Sequence, residues 1–216
     1  MMNLSLEGLI LRIPAAFLAL VLHEMVKARC STRLGDPAPR NSGLMQGKPL
    51  RYLEPIGFIV TIIFGFGWGR PTPTSPMYYK DIKKGIIFTY LTPSLVNLIA
   101  GMVVAMLVGL LTIVSAEALL HSPGTVVLVF HWLFRFMGSF AVVSISVALF
   151  NLIPVPPLDA AKLLQVMISP NAAVKLAQNE KVLQIILMFL MILDIIGMVI
   201  RPIAAQLASA ASVFLI

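Results

Sequence analysis

Charged residues are scarce in this chain of 216 residues: Asp, Glu, Lys and Arg make up only 12% of it, whereas hydrophobic residues make up 59%. Soluble domains are usually about 25% charged and about 45–50% apolar. A soluble core cannot hide so much apolar surface, so lipid must solvate much of the chain. The composition therefore excludes an ordinary soluble domain and indicates an integral membrane protein.

Cysteine and cleavage signals are also nearly absent. Cys30 is the only cysteine, which excludes a disulfide framework and a metal site built from several cysteines. The first apolar run extends past residue 20 without a small-residue cleavage motif. We therefore expect this run to be a retained membrane span and not a signal peptide.

Acidic residues are fewer than basic ones, which gives a formal net charge of +7. The basic residues do not form a nucleic-acid patch, because most of them lie in loops that flank apolar spans, chiefly in 29–51 and 70–84. Cationic loops of this kind remain in the cytoplasm beside anionic lipids. The distribution excludes nucleic-acid binding and predicts contact with anionic lipids at these loops.

The apolar runs predict an all-α integral membrane protein, a bundle of several spans. The run at 55–68 is shorter than the roughly 20 residues that a full span needs, and it contains three glycines. We expect it to form a short re-entrant or hairpin element between the first and second full spans; a full crossing is the alternative. The full spans are predicted at 9–28, 85–115, 125–153 and 182–200.

The whole chain, 1–216, is predicted to be a single membrane domain, with a core at about 8–170 and a C-terminal span at about 182–203 followed by a tail. If 55–68 re-enters, every strongly basic loop lies on one side. The loop at 116–124, which has no Lys or Arg, then lies on the other side. The positive-inside rule predicts a bacterial cytoplasmic membrane with the basic loops in the cytoplasm and the N-terminus outside.

Several ionisable side chains lie within or at the ends of the predicted spans, where each costs about 2.5–3.5 kcal/mol on insertion scales. His23 and Lys27 share one helical face because they are four residues apart, and Glu24 lies beside them. Arg135 and Asp194 are candidates for an ion pair inside the bundle. The alternative is that each of these two faces a polar cavity separately.

The first span ends in HEMVK at 23–27, one residue away from the zinc-protease pattern H-E-x-x-H. In that pattern two imidazoles one helical turn apart bind zinc, and the glutamate is the general base for the metal-bound water. Further motifs follow in order: LGDP at 34–37, YLEPIG at 52–57, FGWGRPTP at 66–73, TPSLVN at 92–97 and FNLIPVPPLD at 150–159. This ordered set resembles the site-2 protease family of intramembrane zinc metalloproteases, in its small bacterial form, over about residues 8–170.

The resemblance implies a zinc site whose ligand positions fall on His23, Lys27 and Asp159, with Glu24 as the general base. It also places Asn97 and Asn151 beside the substrate cavity; the alternative for Asn97 is a hydrogen bond between helices. The second histidine is replaced by Lys27, and the usual L-D-G reads LDA at 158–160.

Lysine between two carboxylates suggests a different role for this position. We hypothesise that Lys27 pairs with Asp159, and with Glu24 as well, and so occupies the space that zinc takes in the family. The alternatives are that Lys27 reaches the lipid headgroups and that Asp159 caps a helix that begins near Ala160.

The sequence therefore favours a catalytically impaired pseudoprotease that binds or scaffolds membrane-spanning helices. The first alternative is an active intramembrane zinc metalloprotease with an unusual ligand set, for which zinc would be the cofactor. A small transporter or channel with Asp194, Arg135 and Asn97 along a polar path ranks lowest. The oligomeric state is left open.

Overall fold

The computed structural model describes residues 5–213, and within that range it is helical without any β-strand. Short 3₁₀ turns occur at Leu44–Gln46, Pro49–Tyr52 and Pro76–Tyr78. The α-helices, in chain order, are α1 (Leu6–Arg33), α2 (Ala38–Asn41), α3 (Pro55–Phe64), α4 (Ile82–Leu120), α5 (Gly124–Asn151), α6 (Asp159–Met167), α7 (Pro170–Gln178), α8 (Glu180–Ile192) and α9 (Ile195–Val213).

Four of these helices, α1, α4, α5 and α9, are long and apolar enough to cross a membrane. They comprise 28, 39, 28 and 19 residues, and at 1.5 Å per residue even the shortest approaches the bilayer core of about 30 Å. The predicted class, an all-α membrane protein with several spans, is confirmed.

The short apolar run forms a re-entrant element. Helix α3 has 10 residues and is therefore about 15 Å long, half of what a crossing needs. It ends at Gly65, whose φ of +84° favours glycine. The chain then runs back along α3, since a Cβ on Gly67 would clash with Thr61. The backbone N–H of Arg70 donates to the carbonyl of Tyr52 over 2.8 Å, so the two ends of the element meet. The basic segments before and after it consequently lie at the same end of the bundle.

The C-terminal span differs from the prediction of 182–203. A break at Leu193 and Asp194 separates α8 from α9, and the spanning helix is α9 at 195–213. Asp194 has φ +60°, in the left-handed region that Asp tolerates better than most residues. Hydropathy is high on both sides of this residue, and for that reason the sequence pattern did not reveal the break.

Small residues allow the helices to pack closely. Ala15, Ala16 and Ala19 of α1 are fully buried in one cluster with Val143 and Val147 of α5. Lipid provides no hydrophobic force between spans, so close contact between small residues is a main source of their association. This packing holds the middle of α1 against the C-terminal half of α5, one helical turn before His23.

Gly101 of α4 is a point of close helix contact, and replacing it with alanine should lower the free energy of unfolding by about 1–3 kcal/mol. A Cβ there would lie 2.7 Å from the Ala141 carbonyl oxygen and 2.6 Å from Ile145 Cγ1. Gly138→Ala is the matched control, because a Cβ at Gly138 meets nothing within 4 Å. Denaturation in detergent would measure both, and equal effects would contradict the expected clash.

Candidate functional site

Four ionisable residues form one buried cluster at the junction of α1 and α6. His23, Glu24 and Lys27 lie on α1 and expose 2%, 3% and 4% of their surfaces, and Asp159, the first residue of α6, exposes 5%. Asp159 reaches the cluster because the proline-rich turn after α5 brings the chain back to α1. Since buried charges must be paired, the contacts among these four groups determine what the site can do.

The ammonium group of Lys27 is at the centre of the cluster. Its Nζ lies 2.7 Å from Asp159 Oδ1 and 2.8 Å from Glu24 Oε1. The ring centroid of Tyr90, on α4, is 5.9 Å from the same nitrogen, within the range of a cation–π contact. Lys27 thus joins α1 to the start of α6 and lies against α4.

The second oxygen of Asp159 contacts His23, with 2.9 Å between Oδ2 and Nε2. Burial raises the pKa of Asp159, but the charge of Lys27 and the hydrogen bonds from His23 and Lys27 outweigh burial and hold that pKa below its usual value. An ionised carboxylate only accepts hydrogen bonds, so Nε2 of His23 is the donor. Nδ1 of His23 is buried and makes no hydrogen bond within the described residues.

The second oxygen of Glu24 is held by Thr72, in the irregular segment that follows α3. The Thr72 backbone N–H donates to Oε2 over 3.1 Å and its hydroxyl donates to the same oxygen over 2.8 Å. Gly69 allows this approach, because a Cβ there would lie 2.7 Å from Glu24 Cγ. Thr72 was not among the site residues predicted from the sequence, although it lies within the FGWGRPTP motif at 66–73.

The two asparagines from the family motifs occupy different places. Asn151 lines a cavity of about 200 Å³ together with Glu24, Lys27 and Asp159. Asn97 is fully buried in α4, where its side chain donates to the Ala19 carbonyl over 3.1 Å. Asn97 therefore ties α4 to α1, and Asn151 is the asparagine that lines the cavity beside the cluster.

The cluster does not fit a catalytic zinc ion, which normally takes three protein ligands and keeps one open position. Within residues 5–213, no group of three His, Cys, Asp or Glu side chains is arranged to hold a metal ion. Two side chains of ligand type, His23 and Asp159, are hydrogen-bonded to each other, and the ammonium of Lys27 lies beside them. An ammonium has three donors and no lone pair, so it cannot bind a metal.

The predicted pair of Arg135 with Asp194 was wrong. Arg135 Nη1 lies 2.7 Å from Glu7 Oε2, and Asp194 instead pairs with Arg201. The hydrogen bond to Arg201 is the main cause that holds the pKa of Asp194 below its usual value. Arg201 is seven residues from Asp194, beyond the three- or four-residue spacing that a regular helix suggests, and for this reason the sequence did not point to it.

Comparison with known proteins agrees with this architecture. Peptidase family M50 matches residues 6–193. A protein of Bacillus subtilis (strain 168) named "Putative zinc metalloprotease YwhC" is 27% identical over 160 residues, which cover 74% of this chain and 69% of that protein. No solved structure matches the chain. The family match covers most of the chain, including the whole buried cluster, and the protein therefore belongs to peptidase family M50, the site-2 protease family.

Proposed function

We propose that this protein is a catalytically impaired member of its family, which binds or scaffolds membrane-spanning helices without cutting them. One observation carries the proposal: the ammonium of Lys27 lies between the carboxylates of Glu24 and Asp159, at 2.8 Å and 2.7 Å. In the family pattern this position holds the second zinc-binding imidazole.

The same contacts prevent Glu24 from acting as the general base. Glu24 can activate a water molecule only if one of its oxygens is within hydrogen-bond reach of that water and can accept its proton. Here Oε1 accepts from Lys27, and Oε2 accepts from the N–H and hydroxyl of Thr72. The carboxylate is oriented by three donors and neutralised by a buried cation, which suits a structural role.

The remainder of the fold supports a role in binding helices. The cavity of about 200 Å³ beside the cluster is lined by Trp68 from the segment after α3, by Tyr90 of α4 and by Asn151 of α5. We place the protein in a bacterial cytoplasmic membrane, with the basic segments in the cytoplasm against anionic lipids. Its partners would be membrane-spanning protein helices.

Active intramembrane proteolysis is the second candidate, and the comparisons favour it. The family is one of peptidases, and the Bacillus subtilis relative carries the name of a zinc metalloprotease. His23, Glu24 and Asp159 each belong to a residue type that serves as a zinc ligand or general base in zinc-dependent proteolysis. This candidate requires a third zinc ligand, which no residue in the described range supplies next to His23 and Asp159.

Metal analysis and helix binding together test the proposal. The detergent-purified protein should contain far less than one zinc per chain and should bind a panel of synthetic single-span helices in nanodiscs without cleaving them. Glu24→Gln should leave this binding unchanged, as should the exposed control Glu117→Gln.

Near-stoichiometric zinc, with cleavage that Glu24→Gln abolishes and Glu117→Gln does not, would overturn the proposal in favour of the protease. Absence of zinc together with no binding to any helix of the panel would overturn the scaffolding role.

A further inference from the structure

The segment at 69–79, between the re-entrant element and α4, forms one wall of the cavity beside the buried cluster. Gly69, Pro71 and Thr72 of this segment line the cavity together with Glu24 and Lys27. We call residues 69–79 the strap. Because it supplies a wall, the position of the strap determines how open the cavity is.

The strap is held in place by side chains and not by backbone pairing. At 71–74, no backbone group bonds to another backbone group within the described part of the chain. Pro71 and Pro73 have no N–H to donate. Segments with few backbone hydrogen bonds open at a lower cost in free energy than packed helices. The strap can therefore detach locally while the spanning helices stay packed.

Besides the contact of Thr72 with the cluster, two contacts hold the strap against the bundle. The hydroxyl oxygens of Thr74 and Tyr90 are 2.7 Å apart, which joins the strap to α4. The backbone N–H of Ser75 donates to Asp36 Oδ2 over 2.7 Å. Asp36 does not line the cavity, so it holds the strap from outside the site.

Asp36 is a buried carboxylate that depends on neutral donors. It exposes 1% of its surface and forms no ion pair among the described residues. Its Oδ2 accepts from the Ser31 hydroxyl over 2.6 Å as well as from Ser75, and its Oδ1 accepts from the Ala38 N–H over 2.8 Å. A buried charge without these donors is costly. Since Ser75 belongs to the strap, Asp36 has all of its donors only when the strap is closed.

Tyr79, the last residue of the strap, extends this network. Its hydroxyl oxygen lies 2.7 Å from Ser31 Oγ and accepts from the Thr89 hydroxyl over 3.2 Å. Ser31 thus connects Tyr79 to Asp36, and Thr89 connects it to α4. The end of the strap is therefore joined to both α1 and α4 through one buried hydrogen-bond network.

We propose that the strap opens and closes the cavity beside the cluster, and that Asp36 is the latch that keeps it closed. Release of Ser75 from Asp36 frees this end of the strap, lets Thr72 move away from Glu24 and widens the cavity. The role of this movement in admitting a client helix rests on the proposed function, whereas the movement itself does not.

Thiol labelling of the full-length protein in nanodiscs, with a charged maleimide as the probe, tests the latch. Asn151→Cys in a Cys30→Ala background places one thiol in the cavity. The Asn151 side chain donates only to the Val147 carbonyl of its own helix, so this change removes no strap contact. Asp36→Ala should raise the labelling rate at least about tenfold, since one hydrogen bond to a charged group shifts an equilibrium by about that factor. Tyr79→Phe, a smaller change, should raise it by about two- to tenfold.

Three controls locate the effect. Tyr78→Phe alters the exposed neighbour of Tyr79, and Asp81→Ala removes an exposed acid that contacts only Lys84 at the start of α4. Both should leave the labelling rate unchanged. The natural Cys30 is buried and lies outside the lining of the cavity, so it reports general loosening of the bundle. In otherwise natural protein, Asp36→Ala should leave the labelling of Cys30 as slow as before.

No faster labelling in either latch variant, an equal rise in the control variants or an equal rise at Cys30 would overturn the latch. None of these outcomes requires a client helix, so the latch can fail while the scaffolding role stands. Conversely, the expected labelling together with no helix binding would overturn the scaffolding role and leave the latch supported.

Discussion

Replacing Lys27 with alanine should lower the free energy of unfolding by about 3–5 kcal/mol, the usual effect of removing one partner from a buried ion pair. Lys27 is 4% exposed, and its ammonium contacts Asp159 at 2.7 Å and Glu24 at 2.8 Å. Without it, two buried carboxylates lie close together with no cation between them, and both desolvation and mutual repulsion oppose the fold. Chemical denaturation in a mild detergent would measure the loss.

Lys84→Ala is the matched control for this prediction. Lys84 is also a helical lysine that pairs with an acid three residues before it, but its side chain is 86% exposed and its Nζ lies 3.6 Å from Asp81 Oδ2. Exposed pairs of this kind contribute little to stability. A loss from Lys27→Ala no larger than that from Lys84→Ala would contradict the buried ion pair and favour the alternative in which Lys27 reaches the lipid headgroups.

A double variant separates the ion pair from simple loss of packing. Lys27→Met retains most of the side-chain volume and removes the charge, and Asp159→Asn removes the opposite charge. If the two groups interact, the combined loss should be smaller than the sum of the single losses by about 0.5–3 kcal/mol. Strictly additive losses would contradict a direct Lys27–Asp159 interaction.

The features that the sequence revealed are those that depend on local pattern. Long apolar runs predicted the spans because lipid requires them, and the short run at 55–68 favoured a re-entrant element over a full crossing because it has fewer residues than a span needs. The spacing of Glu24 and Lys27 places them on adjacent turns of one helix, where the structure has them in contact. The proline-rich motif placed Asp159 directly after a span.

The features that the sequence did not reveal depend on contacts between distant segments. Thr72 lies 48 residues from Glu24 in an irregular segment with no periodic pattern, so only the fold shows that it holds the carboxylate. The break at Asp194 depends on a left-handed backbone conformation and on the pairing with Arg201, and hydropathy records neither. Glu7 and Arg135 are 128 residues apart, which no spacing rule connects.

Restoring the second imidazole should convert the cluster into a metal site. In Lys27→His, the imidazole would stand one helical turn from His23, and Asp159, which now contacts both positions, would complete a set of three ligands. Zinc affinity should be at least about 100-fold higher than in the natural protein. Loss of a residue that only hydrogen-bonds to a metal ligand already lowers metal affinity by about 10–100-fold, and gain of a ligand should have a larger effect.

Lys27→Gln is the control, because it removes the ammonium without adding a ligand and should leave zinc binding as weak as in the natural protein. Titration with zinc, read by a rise in melting temperature and by metal content after dialysis, requires no assumption about proteolysis. Binding in Lys27→His that Asp159→Ala abolishes would show that the family's metal site is retained and that Lys27 alone blocks it. If Lys27→His binds zinc no better than Lys27→Gln, Lys27 is not the only residue that prevents metal binding. The further causes would be Ala160 beside Asp159, where the family pattern has glycine, and the contacts by which Thr72 holds Glu24.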